Sequence, residues 1–361
     1  MNALNSTNSG KTILITGAGG CIGSALAESI VSCDPRLLLL LDHSEQNLYE
    51  VCTKLTANGG PALHVPILGD ISDDALLNDV LEKYGPDTIY HAAAFKHVPL
   101  METNPIAVIR NNALGTWALA NAAVQYDVRR LIMISTDKAV NPRSVMGAAK
   151  RVAELVLLRF SSPRTRMSAL RLGNVLGSHG SVVPLFKQQI ERGGPLTVTH
   201  PDSCRYFVSL GETVDLILAA AALNESAGIF IPELGEPVKI LDIANRLIRQ
   251  AGVNAGEIEI VFTGLRPGDK LSEELVSAGE WLEPTADSRL RRVNCAGTSP
   301  NRLDLVLQTI SEGVRTRNLA ALVETLCDVV PEYQPSETLL ALLNGQVFVG
   351  AQHRCAPNAR P

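Results

Sequence analysis

Thr136, Asp137 and Lys138 follow an apolar run, and Met146 and Lys150 come close behind them. An acid and an amine on adjacent residues can move protons on two sides of one small substrate. Lys150 adds a positive charge that favours deprotonation nearby. Met146 has no ionisable hydroxyl, so either the chain is catalytically silent or its proton chemistry belongs to neighbours, which Asp137 and Lys138 favour. The set suits hydride transfer coupled to elimination of water, provided a hydride carrier lies beside it. The competing reading of Asp137 and Lys138 is a surface ion pair in a loop. Their place at a strand end weighs against it.

The carrier site is legible upstream. Thr16-Gly17-Ala18-Gly19-Gly20-Cys21-Ile22-Gly23 follows an apolar strand and opens a helix. Gly17 makes the tight turn, Gly20 lets the backbone approach a pyrophosphate, and Gly23 lets helix pack on strand. The helix start, at Cys21 and Ile22, offers free N–H groups to phosphate. Asp42 ends the second strand, where a carboxylate can accept the adenosine ribose hydroxyls. No Arg or Lys follows in Asp42-His43-Ser44-Glu45, so NAD is expected rather than NADP. Asp42 could instead cap the next helix. Asp70, before Ile71, reads equally as an adenine contact or a cap. Small Ala92 and Ala93 let the backbone lie against the cofactor, and His91 reads as a packing residue. Lys96 and Asn112 complete the cofactor set, Asn112 by ordering the backbone around the site.

The supporting elements read as an α/β fold: a Rossmann-like doubly wound parallel sheet with a smaller C-terminal substrate-binding cap. Strands are expected at Thr12–Thr16, Leu37–Leu41, Leu63–Leu68, Thr88–His91, Leu131–Ser135 and Ser168–Leu172. Helices are expected near 22–32, 45–57, 73–83, 105–126 and 145–160. Strands apolar on both faces, alternating with helices, imply a parallel sheet covered on both sides. The expected domains are a disordered tail at 1–10, an NAD-binding domain at 11–172, a cap at 173–334 with segments returning to the sheet, and a weakly ordered tail at 335–361.

Composition sets limits. The 361 residues are 46% hydrophobic and 19% charged, as in globular enzymes. A formal net charge of -5 argues against general nucleic-acid binding. Seven cysteines without a CxxC pair read as reduced, mostly buried thiols in a cytoplasmic protein, with no metal site. Leu37–Leu41 is too short an apolar run to span a membrane, and residues 1–10 carry no apolar signal-peptide region.

The segments TGAGGCIG, HAAAFKHVPLMETNP, STDKAVNPRSVMGAAK, LRLGNVLGSHGSVVPLF and FTGLRPGDKLSEEL occur in order over roughly residues 11–280. Together they resemble the UDP-N-acetylglucosamine 4,6-dehydratases, a polysaccharide-biosynthesis group of extended short-chain dehydrogenases. Met146 stands where that superfamily usually has Tyr. Relatives with this Met are often the catalytic part of longer, membrane-anchored enzymes, and this chain reads as a free-standing soluble version. The resemblance implies a lyase acting on a UDP-sugar. It assigns Thr136 to the carbon 4 hydroxyl, Asp137 as acid at carbon 6 with a raised pKa, and Lys138 as base at carbon 5 with a depressed pKa. Lys150 would hold the nicotinamide ribose, and Met146 would line the site passively. Lys96, His97, Asn174, Val175, Ser181 and Val182 fall on the sugar-nucleotide side. Arg205 and Arg266 are the diphosphate candidates, with Asp269 where the family more often has Glu. A homodimer or higher oligomer, pairing through 105–126 and 145–160, is also implied. The alternatives are carbon 5 inversion, a nucleotide-sugar 4-epimerase, or a non-catalytic NAD-binding regulatory protein.

Overall fold

Six short apolar stretches form the parallel heart of the sheet: β1 (Thr12–Thr16), β2 (Leu37–Asp42), β3 (His64–Leu68), β4 (Thr88–His91), β5 (Arg130–Thr136) and β6 (Arg166–Leu172). The computed structural model describes residues 7–57, 63–178, 180–223, 228–252, 257–295 and 300–345. β7 (Gly228–Pro232) adds a parallel strand, and the hairpin β8 (Glu280–Pro284) and β9 (Leu290–Cys295) adds an antiparallel edge. The order across the nine strands is β3-β2-β1-β4-β5-β6-β7-β9-β8.

Alternation along each strand feeds two cores. Leu14, Leu39 and Leu41 join one, and Ile13, Ile15, Leu38 and Leu40 the other. On the second face lie α1 (Cys21–Val31), α2 (Glu45–Ala57) and Leu210–Ala222. The first face carries α3 (Asp74–Tyr84), α4 (Gly115–Gln125) and α5 (Val145–Phe160). This is the doubly wound arrangement that the strand pattern implies. Strand order reverses between β1 and β4, so a crevice opens beyond their C-terminal ends.

The expected 105–126 helix is composite: Pro105–Val108, a π-helical stretch at Ile109–Leu114, and then α4. The widened turn carries Asn111 and Asn112 inward.

The cap has its own small core, with Phe186, Leu196, Val198, Ile240, Ala244 and Ile248 buried together. Other parts of 173–334 lie with the main sheet. Leu210–Ala222, β7, β8 and β9 belong to the main sheet layers, and Pro300–Arg315 and Leu319–Val329 pack into the first-face core.

Residues 7–10 and 335–345, which fall within the expected tails, take part in the fold. Thr7 and Asn8 are buried, and the Tyr90 hydroxyl donates to Asn8 Oδ1 at 2.9 Å. At the other end, Glu337–Leu343 is a helix capped by Ser336, whose hydroxyl also donates to the buried Glu102 carboxyl. Polar partners waiting in the main body order these otherwise weak segments. Residues 1–6 and 346–361 lie outside the described residues. Among the described thiols only Cys33 is fully buried; Cys21, Cys52, Cys204 and Cys327 are half-buried and free.

The pairing face expected on α5 is occupied by the chain itself. Val145 to Leu157 is buried throughout, against Leu303, Leu307, Leu322 and Leu326 of the C-terminal helices.

Candidate active site

The loop from β1 to α1 is shaped by its glycines. Gly17 has φ 67°, and a Cβ there would meet Ala93 N at 2.6 Å. A Cβ on Gly23 would meet Gly17 O at 2.0 Å, so α1 can approach the loop only without a side chain there. Gly20 differs: its only near neighbour would be Gly17 O at 3.2 Å, and its outer side is open. Asp42 is buried and bridges this loop to the next helix, Oδ2 accepting Gly19 N–H and Oδ1 accepting Ser44 N–H, both at 2.9 Å. The cap of α2 is Ser44, whose Oγ accepts Asn47 N–H, so Asp42 is not the cap.

A groove runs past Gly17, Gly20, Asp42, His43, Ala92, Ala93 and Phe95. His43 is exposed and meets the Phe95 ring edge-on at 6.0 Å. Cys21 and Ile22 form the half-buried first turn of α1, and Lys96 lies near Cys21. Partial burial lowers the Lys96 pKa. Asp70 is exposed and closes a turn onto Ser72 N and Oγ, each at 2.8 Å, while Asp73 caps α3. Ile71 is buried beside Gly115 at one end of the groove.

Two buried side chains brace the crevice from behind. Asn112 receives Phe95 N–H on Oδ1 and donates Nδ2 to Phe95 O, both at 2.9 Å. This clamp is the backbone-ordering role expected of it. The Thr116 hydroxyl donates to Asn112 O at 2.8 Å, so it must accept from His91 Nε2. His91 Nδ1 then accepts from Thr16 Oγ1 at 2.7 Å. Burial, aided by Lys150, lowers the His91 pKa to about 3, so it is a neutral brace.

At the end of β5 one 3-10 turn, Asp137–Ala139, aims the acid and the amine. Thr136 Oγ1 donates to Asp137 Oδ1 at 2.9 Å and accepts Lys138 N–H at 3.4 Å. Asp137 is fully buried, and among the described residues its Oδ2 has no hydrogen-bond partner. Lys138 Nζ reaches Asp137 Oδ1 at 2.9 Å, Asn174 Oδ1 at 3.1 Å and Glu273 Oε1 at 3.5 Å. This reverses the expected direction at Lys138. Burial alone would lower its pKa, but the Asp137 and Glu273 carboxylates override burial and hold it above the ordinary value.

Met146 is 3% exposed and belongs to the core, so it fills space beneath the turn rather than lining the crevice. A Cβ on Gly147 would sit 2.2 Å from Lys138 O, so α5 presses directly against the Asp137–Ala139 turn. Lys150 is buried, and burial lowers its pKa to about 8, partly opposed by Glu154.

The cap contributes unevenly. Asn174 and Val175 form a short strand paired with Phe207 and Val208, and Asn174 reaches the site through Lys138. Ser181 starts the helix Val182–Glu191; among the described residues its buried Oγ has no hydrogen-bond partner, and Val182 packs partly into the cap core. His97 is exposed beside Gly180, and burial with the Lys96 and Arg266 charges lowers its pKa. Arg266 is exposed and pairs with Asp269 at 2.8 Å. Arg205, expected to face a diphosphate, is buried. It donates Nη1 to Cys204 O and Leu271 O and Nη2 to Lys270 O, so those donors hold the 270–271 backbone instead.

Sequence reasoning missed Glu273, Lys270 and Glu154. Lys270 Nζ lies 2.9 Å from Glu273 Oε2 and donates to Val140 O at 2.8 Å, so this segment reaches across to the Asp137–Ala139 turn. Both residues stand in a segment already singled out, three positions apart. Glu154 accepts Ser135 Oγ at 2.7 Å, Arg171 Nε at 2.9 Å and Arg151 Nη1 at 2.9 Å. Arg171 also forks onto Glu280, both bonds at 2.8 Å. The spacing of Lys150 and Glu154, one helical turn, was the available signal.

Among the described residues no helix is long and apolar enough to cross a membrane, and no cluster of His, Cys, Asp and Glu could hold a metal ion. The model of the polysaccharide biosynthesis protein family matches residues 13–294. The capsular polysaccharide biosynthesis protein CapD of Staphylococcus aureus is 48% identical over 303 residues, 83% of this chain and 51% of that protein. The chain thus spans about half the length of that relative. A UDP-glucose 4-epimerase of Rickettsia massiliae is 33% identical over 281 residues, 76% of this chain and 80% of its own. The fold is similar to that of the dTDP-glucose 4,6-dehydratase DesIV of Streptomyces venezuelae with NAD bound. The TM-score is 0.64 and the identity 22%, over 73% of this chain and 87% of that one.

Proposed function

The chain belongs to the polysaccharide biosynthesis protein family, and we propose that it is an NAD-dependent nucleotide-sugar 4,6-dehydratase acting on UDP-N-acetylglucosamine. The observation that carries the reading is Asp137. It is a fully buried acid with one carboxyl oxygen unpartnered among the described residues, joined to a lysine at the end of β5. A buried oxygen without a partner is costly unless something else satisfies it. A sugar hydroxyl in the crevice would do so.

The β1–α1 loop and Asp42 fit a dinucleotide. The open side of Gly20 admits a pyrophosphate to the start of α1, and Asp42 is placed at the β2 end for ribose hydroxyls. When bound, NAD would take hydride from sugar carbon 4 and return it to carbon 6. The residues of the chain do the rest. Thr136 orients the carbon 4 hydroxyl. Lys138, once it has lost its proton, removes the carbon 5 proton, made acidic by the adjacent ketone. Asp137 donates a proton to the departing carbon 6 hydroxyl. Lys150 holds the nicotinamide ribose, and its ammonium, present below about pH 8, favours release of the carbon 4 proton to a water relay.

A 4-epimerase is the second reading, favoured by the name of the Rickettsia massiliae relative. An epimerase needs proton exchange only at carbon 4, which leaves the Asp137–Lys138 pair without a task. Incubating the protein with NAD and UDP-N-acetylglucosamine and following products by NMR separates the two. A 4-keto-6-deoxy sugar is expected. A carbon 4 epimer would replace this reading, and an unchanged sugar would end both. Mass spectrometry of the denatured protein should release NAD; stoichiometric NADP would overturn the cofactor assignment.

A further inference from the structure

We propose that Glu273 is a positioning residue of this site: it seats the Lys138 amino group beside Asp137 and Asn174 and supplies the counter-charge that decides when Lys138 can act as a base. The role of Lys138 as base rests on the dehydratase reading; the seating of Lys138 does not.

An ammonium has three donors. Lys138 places three oxygens around Nζ: Asp137 Oδ1 at 2.9 Å, Asn174 Oδ1 at 3.1 Å and Glu273 Oε1 at 3.5 Å. A neutral amine has only two donors and a lone pair. To work as a base, Lys138 must release one oxygen and turn the lone pair towards the sugar. The longest and weakest contact, to Glu273, is the one to give way.

Charge leads to the same residue. Glu273 is almost wholly buried, with Lys270 Nζ at 2.9 Å and Arg205 Nε at 3.9 Å as well as Lys138. Asp137 and Glu273 thus face Lys138, Lys270 and Arg205, which leaves one positive charge in excess. Leaving that total unchanged, transfer of one proton from a lysine to Asp137 would arm base and acid together. Arg205 is committed to backbone carbonyls and Lys270 to Val140 O, so Lys138 is the cation free to lose it.

The geometry also links the cap to the turn. Glu273 follows the Arg266–Lys270 segment, and Asn141 Nδ2 donates to the neighbouring Glu274 at 2.6 Å.

The test is the pH dependence of Lys138 itself, read by trace labelling with acetic anhydride and peptide mass spectrometry on the NAD-loaded protein. Glu273→Gln should move the labelling midpoint of Lys138 towards acid by about one pH unit. The rise of dehydration rate with pH, and of solvent deuterium entering at carbon 5, should move with it. Glu273→Asp keeps the charge but withdraws it by one methylene and should fall between wild type and Gln. If Glu273→Gln does not fold, Glu273→Asp carries the test. A Lys138 midpoint superposed on wild type in the folded variants overturns the proposal. Labelling needs no turnover. A shifted midpoint without any dehydration by wild type would therefore retain Glu273 and reject the dehydratase reading.

Discussion

Lys138 Nζ lies 2.9 Å from Oδ1 of its sequence neighbour Asp137, so the proposed base and acid are ion-paired to each other. Both cannot hold that contact while working on opposite sides of a sugar. Once Lys138 has released Glu273 and turned to the sugar, the Asp137 contact must part as well, and each variant should then fail in its own way.

Asp137→Asn keeps size and removes a titratable donor, and Lys138→Ala removes the amine. Each should lose dehydration by about 10²–10⁴-fold while still retaining NAD. Lys138→Ala should also abolish solvent deuterium entry at carbon 5, whereas Asp137→Asn should retain some. A folded Lys138→Ala protein that dehydrates at near wild-type rate would place the base elsewhere.

Met146 packs in the core and offers no proton. Met146→Leu is close to volume-conserving and should cost under about 1.5 kcal/mol of stability. Most dehydration activity should survive. Complete loss of turnover in a folded, cofactor-loaded Met146→Leu protein would assign the thioether a chemical role.

Lys150 should make cofactor-free stability depend on pH. Its pKa falls from 10.5 to about 8 in the folded protein. Below about pH 8 the buried ammonium carries its full penalty. Between about 8 and 10.5 the unfolded chain binds more protons than the folded one, so this group makes stability rise with pH. Lys150→Met should flatten that part of the melting-temperature profile between pH 7 and 10. An unchanged slope would show that Lys150 is not the titrating group.

Glu154 joins Ser135, Arg151 and Arg171 behind the catalytic turn, and with burial opposing them the arginines lower its pKa to about 2. Its stabilisation is present above the ordinary carboxylate value of 4.5 and is lost as pH falls towards about 2. Glu154→Gln leaves two buried guanidinium groups short of a partner and should cost about 3–5 kcal/mol in urea unfolding. A loss below 1 kcal/mol would mean that Glu280 alone satisfies Arg171.

Much of this molecule was legible without coordinates, where the signal was local. Thr12–Thr16 and Thr88–His91 are strands at the limits their apolar runs imply, and Val145–Phe160 is the helix its pattern implies. The glycine loop and Asp42 could be read because turn, strand end and helix start are consecutive in the chain. The Asp137–Lys138 pair could be read for the same reason. The tertiary structure decided what distant groups do to these residues. Glu273 approaches Lys138 from far along the chain and raises a pKa that burial alone would have lowered. Arg205, alike in sequence to a phosphate ligand, is turned inward by the carbonyls of Cys204, Lys270 and Leu271. Ser336 is ordered because Glu102 waits for it in the core. Periodicity and propensity act over a few residues, whereas charge state and hydrogen-bond partner depend on which groups the fold packs together. The residues of the candidate site were therefore nameable from sequence, and the charged surroundings of Lys138 were not.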